Sequence, residues 1–469
     1  MGRYKYLAKN IGLLTISNFA TKLLSFFLVP LYTSILSTAD YGTTDLLSTT
    51  ASVLLPILTL NVQEGVMRFA LDKDSDRKAI ITIGIRYLLI AFGICTAGIG
   101  VNYIFDFSQV FKTYGLYFLL MFFTQAAVAI ITSYIRGIDR IADLSVSGVI
   151  SSIVTISLNI LFLVYLKMGI IGYILANCIG PLVRCLYLSV RSDLFRSVRL
   201  GNAYKKETKA ILKYTKPMIA NSVAWWVNNA SDRYVVIFFC GMAANGIYSV
   251  ASKIPSIMNV FQTIFNSAWA LSAVKDYDPE DKSGFFANTY KAYNCMLTIV
   301  CSGIIVGDKI LARILYAKDF YAAWKYVPWL TIAILFSALS GYIGGFFTAV
   351  KDSKMYATST VAGAVTNIVL NLIFTPIMGP LGAAIATAIC YAEIFVIRFV
   401  QSRRYIKLRI NLKRDIASYM LLVMQSIALL CFKQRIMLYT VLIVLFLVVC
   451  MLYRREMMLV IDKVKKSRR

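Results

Sequence analysis

Four stretches of this chain place polar and charged side chains at helical spacing inside otherwise apolar sequence. Asn18, Lys22, Ser25 and Thr33 share one helical face, as do Asp45, Ser48, Thr49, Ser52, Thr59 and Gln63. The third stretch holds Asn221, Asn228, Asn229 and Asp232, with Arg233 beside it; the fourth holds Ser249, Lys253, Ser256, Thr263 and Ser267. Hydroxyls and amides in such stripes can hydrogen-bond a sugar or simply a neighbouring helix. The two lysines ask for more. Each lies roughly 15 Å into its apolar run at the helical rise, and a cation at that depth of a bilayer costs at least ~2.5–3.5 kcal/mol. It needs a neutralising acid, such as Asp45 or Glu64 for Lys22, or a wet chamber that holds an anion.

Arg86 and Arg233 are the next cations of this kind. Arg86 lies nearer one end of its run, where snorkelling serves equally well, and Arg233 directly follows Asp232. Arg184 and Arg398 lie nearest the ends of theirs and are expected to snorkel. The opposing acids are Asp45, Glu64, Asp232 and Glu393. Asp45 and Glu64 sit near the ends of their run whereas the lysines are central, which leaves the middle positive. A positive midplane suits an anion, a diphosphate above all, through charge-assisted hydrogen bonds. On this reading Lys22, Lys253, Arg86 and Arg233 hold the diphosphate, and Ser25, Asn228 and Ser256 meet attached sugar. Asp45, Glu64 and Asp232 are candidates for coupling to an ion. The chain has no histidine, which excludes His-based acid–base chemistry, metal ligation and proton relays. Its nine cysteines fall in or beside apolar segments without paired or metal-like spacing and read as small hydrophobes. Neither a cofactor nor a metal is called for.

The elements that must position these side chains are membrane spans. Of 469 residues 59% are hydrophobic and only 15% charged, against about 25% charged in soluble domains. Apolar runs divide the chain into about fourteen candidate spans, each long enough to cross ~30 Å of hydrocarbon. The four stripes fall in spans one (11–36), two (43–67), seven (214–240) and eight (243–269), and the last pair covers 415–432 and 436–453. No cleavable signal peptide is evident. The net charge of +26 would suit nucleic acid, but its distribution does not. With the N-terminus inside, about 35 of the 49 Lys and Arg fall in inside segments and about 8 in outside loops. That alternation places both termini in the cytoplasm and assigns the basic residues to topology and anionic lipid. The longest basic linker, 191–216, reads as an interfacial helix or as a solvated loop.

The two halves of the chain resemble each other. In "SLNILFLVYLKMGIIGYILAN" (157–177) and "VLNLIFTPIMGPLGAAIAT" (369–387), Asn159 matches Asn371, Gly169 and Gly172 match Gly379 and Gly382, and Ala176 matches Ala386, with a two-residue gap between Asn and the first Gly. Ala39 and Gly42 before span two match Ala243 and Gly246 before span eight. Repeats of the same sidedness imply two bundles related by an axis along the membrane normal, with substrate bound between them. The expected fold is an all-α polytopic membrane protein: a six-helix bundle over 1–190, a cytoplasmic linker at 191–216, a second six-helix bundle over 217–401, and two further spans with a basic tail over 402–469.

The opening "NFATKLLSFFLVPLYTSILSTADYGTTDLLST" (18–49), "GIYSVASKIPSI" (246–257) and the repeated "MGIIGYILAN" and "MGPLGAAIAT" carry a resemblance. They are similar to the polysaccharide transport branch of the multidrug/oligosaccharidyl-lipid/polysaccharide exporter superfamily, the Wzx-type flippases. The resemblance implies a fourteen-helix architecture shared with the lipid II flippase. It implies alternating-access transfer of an undecaprenyl-diphosphate-linked oligosaccharide across the bacterial cytoplasmic membrane, with a polysaccharide polymerase and glycosyltransferases as partners. By position, Lys22 and Lys253 match the basic cavity residues implicated in substrate recognition. Two other readings are a drug/cation antiporter of the same superfamily, which wants a buried carboxylate, and a membrane-embedded polymerase or glycosyltransferase, which wants a sizeable extramembrane domain. Topology is the directly testable part. A reporter active only outside the cytoplasm is expected to be active when inserted in the loop before residue 326 and inactive when inserted in the linker before residue 205; the reverse pattern would overturn the assigned sidedness.

Overall fold

The computed structural model describes residues 26–458, apart from 73, 202–203, 276 and 351. The described residues form helices joined by short turns. In order these are α1 (Val29–Ile35), α2 (Thr38–Leu58), α3 (Val62–Ala70), α4 (Arg77–Phe105), α5 (Gln109–Gly137), α6 (Ile141–Asn159), α7 (Gly169–Arg191), α8 (Leu194–Ser197), α9 (Lys205–Ala251), α10 (Ser256–Lys275), α11 (Phe285–Leu315), α12 (Val327–Ala349), α13 (Ser353–Met378), α14 (Pro380–Ser402), α15 (Leu412–Cys431) and α16 (Arg435–Leu452). Among the described residues 11 helices are long and apolar enough to span a membrane, or 12 if the bent pair α2–α3 counts as one span. Most of the expected first span lies outside the described residues. The chain divides into two compact units, Met1–Trp226 and Val227–Arg469.

Two expected spans are broken. Span two bends by 61° between α2 and α3. Pro56 lacks the N–H that would continue the ladder, and Leu60 and Asn61 adopt left-handed backbone, with φ of 51° and 55°. Polar side chains seal the bend: Thr59 Oγ1 donates to Gln63 Oε1 at 3.1 Å, and Gln63 Nε2 donates to Asn61 Oδ1 at 2.6 Å. Span eight is not one helix either. α9 is two helical segments joined at Gly241 (φ 85°), in the expected gap between spans seven and eight, and the second segment ends at Ala251. A turn over 252–255 follows, and α10 starts after Pro255.

In the first unit α3, α4 and α5 pack around Val66, Ile81, Ile83 and Ile130, all fully buried. The start of α9 joins this core through Ile211, which approaches Gly65 so closely that any side chain at residue 65 would collide with it. In the second unit α12 is the most buried span. Trp269 stacks on Tyr342 at 4.1 Å and donates from Nε1 to the Tyr342 carbonyl at 2.9 Å. α15 and the end of α16 dock through polar groups: Asn294 donates to the Tyr453 hydroxyl at 3.1 Å, Ser302 donates to Gln425 at 2.9 Å, and Arg414 of α15 pairs with Glu456. Outside the spans, the Tyr405 hydroxyl donates to Asp352 at 2.6 Å and, with the Met355 amide, holds that carboxyl below the ordinary range.

The matched motifs do the same local work in each unit. Gly169 and Gly379 open α7 and α14 with φ of 56° and 63°, a conformation glycine adopts without steric cost. Gly172 and Gly382 then pass against the backbone of Phe162 and Phe374 respectively. Asn159 Nδ2 bonds the Thr155 carbonyl at 2.8 Å, and Asn371 Nδ2 bonds the Asn367 carbonyl at 2.9 Å. Between Asn159 and Gly169, α6 widens into a π-helical turn, Ile160–Tyr165, and 166–168 form a non-helical connection; the corresponding part of α13 stays helical to Met378. Arg398 is corrected from a snorkelling residue to a buried one. It is 3% exposed, donates to Ser359, Thr360 and the Ser340 carbonyl at 2.9–3.0 Å, and stacks on Tyr356. Arg184 makes a related bond to Ser147 at 3.3 Å.

Because a backbone carbonyl cannot move aside as a side chain can, Gly382→Ala should destabilise by about 1–3 kcal/mol. Gly98→Ala, with open space around it, should be neutral or slightly stabilising. Thermal unfolding in detergent measures both, and equal melting temperatures would refute the packing argument.

Candidate functional site

The second unit holds a polar pocket of about 240 Å³ whose lining includes Asn228, Asp232, Arg233, Tyr248, Ser252, Ser256, Asn259 and Thr387. Its anchor is Asp232, 7% exposed on the α9 stripe. One carboxylate oxygen accepts from the Tyr248 hydroxyl and, at 3.4 Å, from Thr387 Oγ1. The other accepts from the backbone N–H of Arg233 at 3.0 Å. Tyr248 lies on the second segment of α9, beyond Gly241, so the acid and its phenol donor come from the two segments joined there. Asn228, one turn before Asp232, donates to the Thr360 carbonyl at 3.1 Å. Ser256 opens α10 and donates to the Lys253 carbonyl at 2.6 Å; Ser252 closes the preceding turn onto the Ser249 carbonyl.

Four residues singled out in the sequence thus meet here: Asn228, Asp232, Arg233 and Ser256. Lys253 does not line the pocket. It sits half-buried in the turn over 252–255, not mid-helix, because Pro255 cannot donate into a continuing ladder. The face drawn through Ser249, Lys253 and Ser256 is therefore interrupted. Lys22 and Ser25 lie outside the described residues. Asp45 is half-buried within α2, and Glu64 occupies the first turn of α3 beyond the bend, so the two acids belong to different helices. Ser48 accepts from Gln125 at 3.3 Å, an interhelical bond of the ordinary kind. Arg86 is in the first unit, where its guanidinium donates to the Leu200 carbonyl at 3.1 Å.

Sequence reading missed Tyr248 and Thr387. Tyr248 stands in "GIYSVASKIPSI" and Thr387 in "MGPLGAAIAT", so both were inside quoted motifs. A phenol and a single threonine in apolar sequence gave no periodic signal of their own. The pocket has room for several waters at ~30 Å³ each, not for a chain of sugars. A recessed carboxylate ringed by hydroxyls and an amide is suited to take a proton or a small cation, and Arg233 adds one positive charge at the rim.

A sequence profile described as polysaccharide biosynthesis protein matches residues 7–270, more than half of the chain. The chain belongs to that family. No curated protein matches it in sequence. Its fold is shared with solved transporters. The lipid II flippase MurJ, in an inward closed conformation, has a TM-score of 0.67 and 16% identity, covering 94% of this chain and 97% of that one. An inward-facing multidrug resistance MATE transporter of the MOP superfamily has a TM-score of 0.65 and 13% identity, covering 86% and 98%. A MATE transporter in complex with MaL6 has a TM-score of 0.58 and 14% identity, covering 88% and 97%. This member of the polysaccharide biosynthesis family is thus an all-helical, multi-pass membrane protein with the fold of the MOP transporters.

Tyr248→Phe removes a donor from the buried carboxylate and should lower stability by about 1–3 kcal/mol. Asn259→Ala, at the pocket wall, should stay within about 0.5 kcal/mol. Melting temperatures of the two purified variants test this; no loss in Tyr248→Phe would mean that the phenol does not hold Asp232.

Proposed function

We propose that the chain is a flippase, not an enzyme, which carries an undecaprenyl-diphosphate-linked oligosaccharide across the bacterial cytoplasmic membrane by alternating access. The observation that carries this reading is the combination of a polysaccharide biosynthesis family match with a fold shared, over 94% of the chain, with a lipid II flippase. The short connections between helices support it, since among the described residues no extramembrane domain is present to house glycosyl transfer. Lys22 and Lys253 hold the diphosphate, the polyprenyl tail stays in lipid, and both termini face the cytoplasm. Arg233, Asn228 and Ser256 contribute polar contacts at the edge of the unit-two pocket. Asp232 binds the coupling proton or cation, so that its charge state biases the second unit between conformations. One charge crossing 100 mV is worth ~2.3 kcal/mol, enough to reset such an equilibrium. A polysaccharide polymerase and glycosyltransferases act before and after transfer.

The buried Asp232 also favours a second reading, export of an organic cation in exchange for an ion, because a recessed carboxylate is what such an antiporter needs. Proteoliposomes separate the two. With a fluorescent lipid-linked oligosaccharide as probe, Lys22→Ala and Lys253→Ala should each slow flipping roughly 10- to 100-fold, the loss of one charge-assisted contact of about 1.5–3 kcal/mol. Asp232→Asn should remove the dependence on an imposed proton or sodium gradient. Undiminished flipping in both lysine variants would eliminate them as the recognition site. Uptake of a cationic dye without any lipid flipping would establish the antiporter instead.

A further inference from the structure

The first unit carries a second chemical feature that the transport site does not use. A groove of about 520 Å³ runs between α4 and the first turns of α9. Arg86 lines one side, and Lys205, Lys209, Lys213 and Lys216 line the other; no acid is among the lining residues. The lysines recur at i, i+4, i+8 and i+11, which sets them along one helical face over about 16 Å. Like charges at that spacing cost a helix about 0.2–0.5 kcal/mol per pair, and among the described residues none of the four lysines has an ion-pair partner. Thr208, half-buried, lines the groove, and its hydroxyl oxygen is shielded and has no hydrogen-bond partner among the described residues. The opposite face of the same helix is fixed, with Ile211 and Thr215 fully buried against α3. The row is thus held in place, and nothing in the described chain neutralises it.

Depth points the same way. α4 has 29 residues, about 43 Å at the helical rise, some 13 Å more than the hydrocarbon of a bilayer. Arg86 is nine residues from its start and bonds the linker at Leu200. With that surplus on the side the basic loops assign to the cytoplasm, the groove lies at the level of the headgroups, where anionic lipid attracts a lysine by about 1 kcal/mol each. We propose that this groove binds the phosphodiester headgroups of anionic phospholipids of the inner leaflet, and that Arg86 belongs to this site instead of the midplane. The length of the row decides for phospholipid. Two phosphates joined through one oxygen cannot reach both ends of it, whereas separate headgroups can. Thr208 supplies a neutral donor to a phosphate oxygen seated at the groove floor.

The test uses the full-length protein in a neutral detergent, titrated with phosphatidylglycerol or, as control, phosphatidylcholine. Phosphatidylglycerol should raise the melting temperature of the wild type, and phosphatidylcholine should not. A variant with Lys205, Lys209, Lys213 and Lys216 all changed to Gln should lose more than half of that shift, while the same four changed to Arg should keep it. Single Lys209→Gln and Lys213→Gln variants, which keep the rest of the row, should each reduce the number of phosphatidylglycerol molecules retained in native mass spectra. A full shift in the four-Gln variant, or unaltered lipid retention in both single variants, would overturn the proposal. It would equally be overturned if a polyprenyl diphosphate or inorganic pyrophosphate, at the same concentration, stabilised the wild type as well as phosphatidylglycerol did and with the same lysine dependence. The groove would then be a diphosphate station.

Discussion

An amide inside hydrocarbon has no water to bond, so every backbone donor and acceptor of a spanning segment must be satisfied by the protein. This constraint makes the fold a set of helices and turns each interruption into a place of interest. Among the described residues, two such interruptions are sealed by nearby polar groups. At the α2–α3 bend the Asn61 amide reaches the Pro56 carbonyl at 2.9 Å, and Thr59, Gln63 and Asn61 bond one another. At the turn before α10 the Lys253 amide reaches the Val250 carbonyl at 2.9 Å, and the Ser252 and Ser256 hydroxyls bond carbonyls one turn back. The stripes of serine, threonine and asparagine are therefore not all for ligand. Many of them satisfy backbone that a proline or a bend has left short of partners.

This explains how much was legible beforehand. Fold class and the approximate position of the later spans followed from apolar run length alone, because length against bilayer thickness is a coarse and robust measure. The matched glycines were legible because Gly169 and Gly379 need positive φ, and Gly172 and Gly382 need close approach, requirements that tolerate no other residue well. The breaks were not legible in detail. A helical stripe read through Pro255 assumes that the helix continues, and whether a proline bends or ends a helix depends on packing that a periodic pattern does not contain. Lys253 was misplaced for that reason.

The same limit applied to the charges. Arg398 was judged by its distance from the end of a hydrophobic run, which measures reach to water but not the alternatives to water. Here Ser359, Thr360, the Ser340 carbonyl and the Tyr356 ring supply those alternatives from three other turns of the unit. Asp232 was legible as a buried acid; its phenol donor was not, because Tyr248 becomes its neighbour only through the altered backbone at Gly241. For the lysines of α9 the sequence offered an interfacial helix or a solvated loop. In the structure the backbone at 198–201 is not helical, and 205–216 are the first turns of α9, anchored by the fully buried Ile211.

The π-helical turn after Asn159 has a bearing on how the chain tolerates changes of length. An inserted residue inside a membrane helix would ordinarily rotate everything downstream and scramble its contacts. A wider coil followed by a loose connection, as at 160–168, can take up such a residue while the glycine beyond it keeps its place. Lineages of this protein should then show their insertions and deletions gathered at such expandable coils, with the glycine hinge after them held in place.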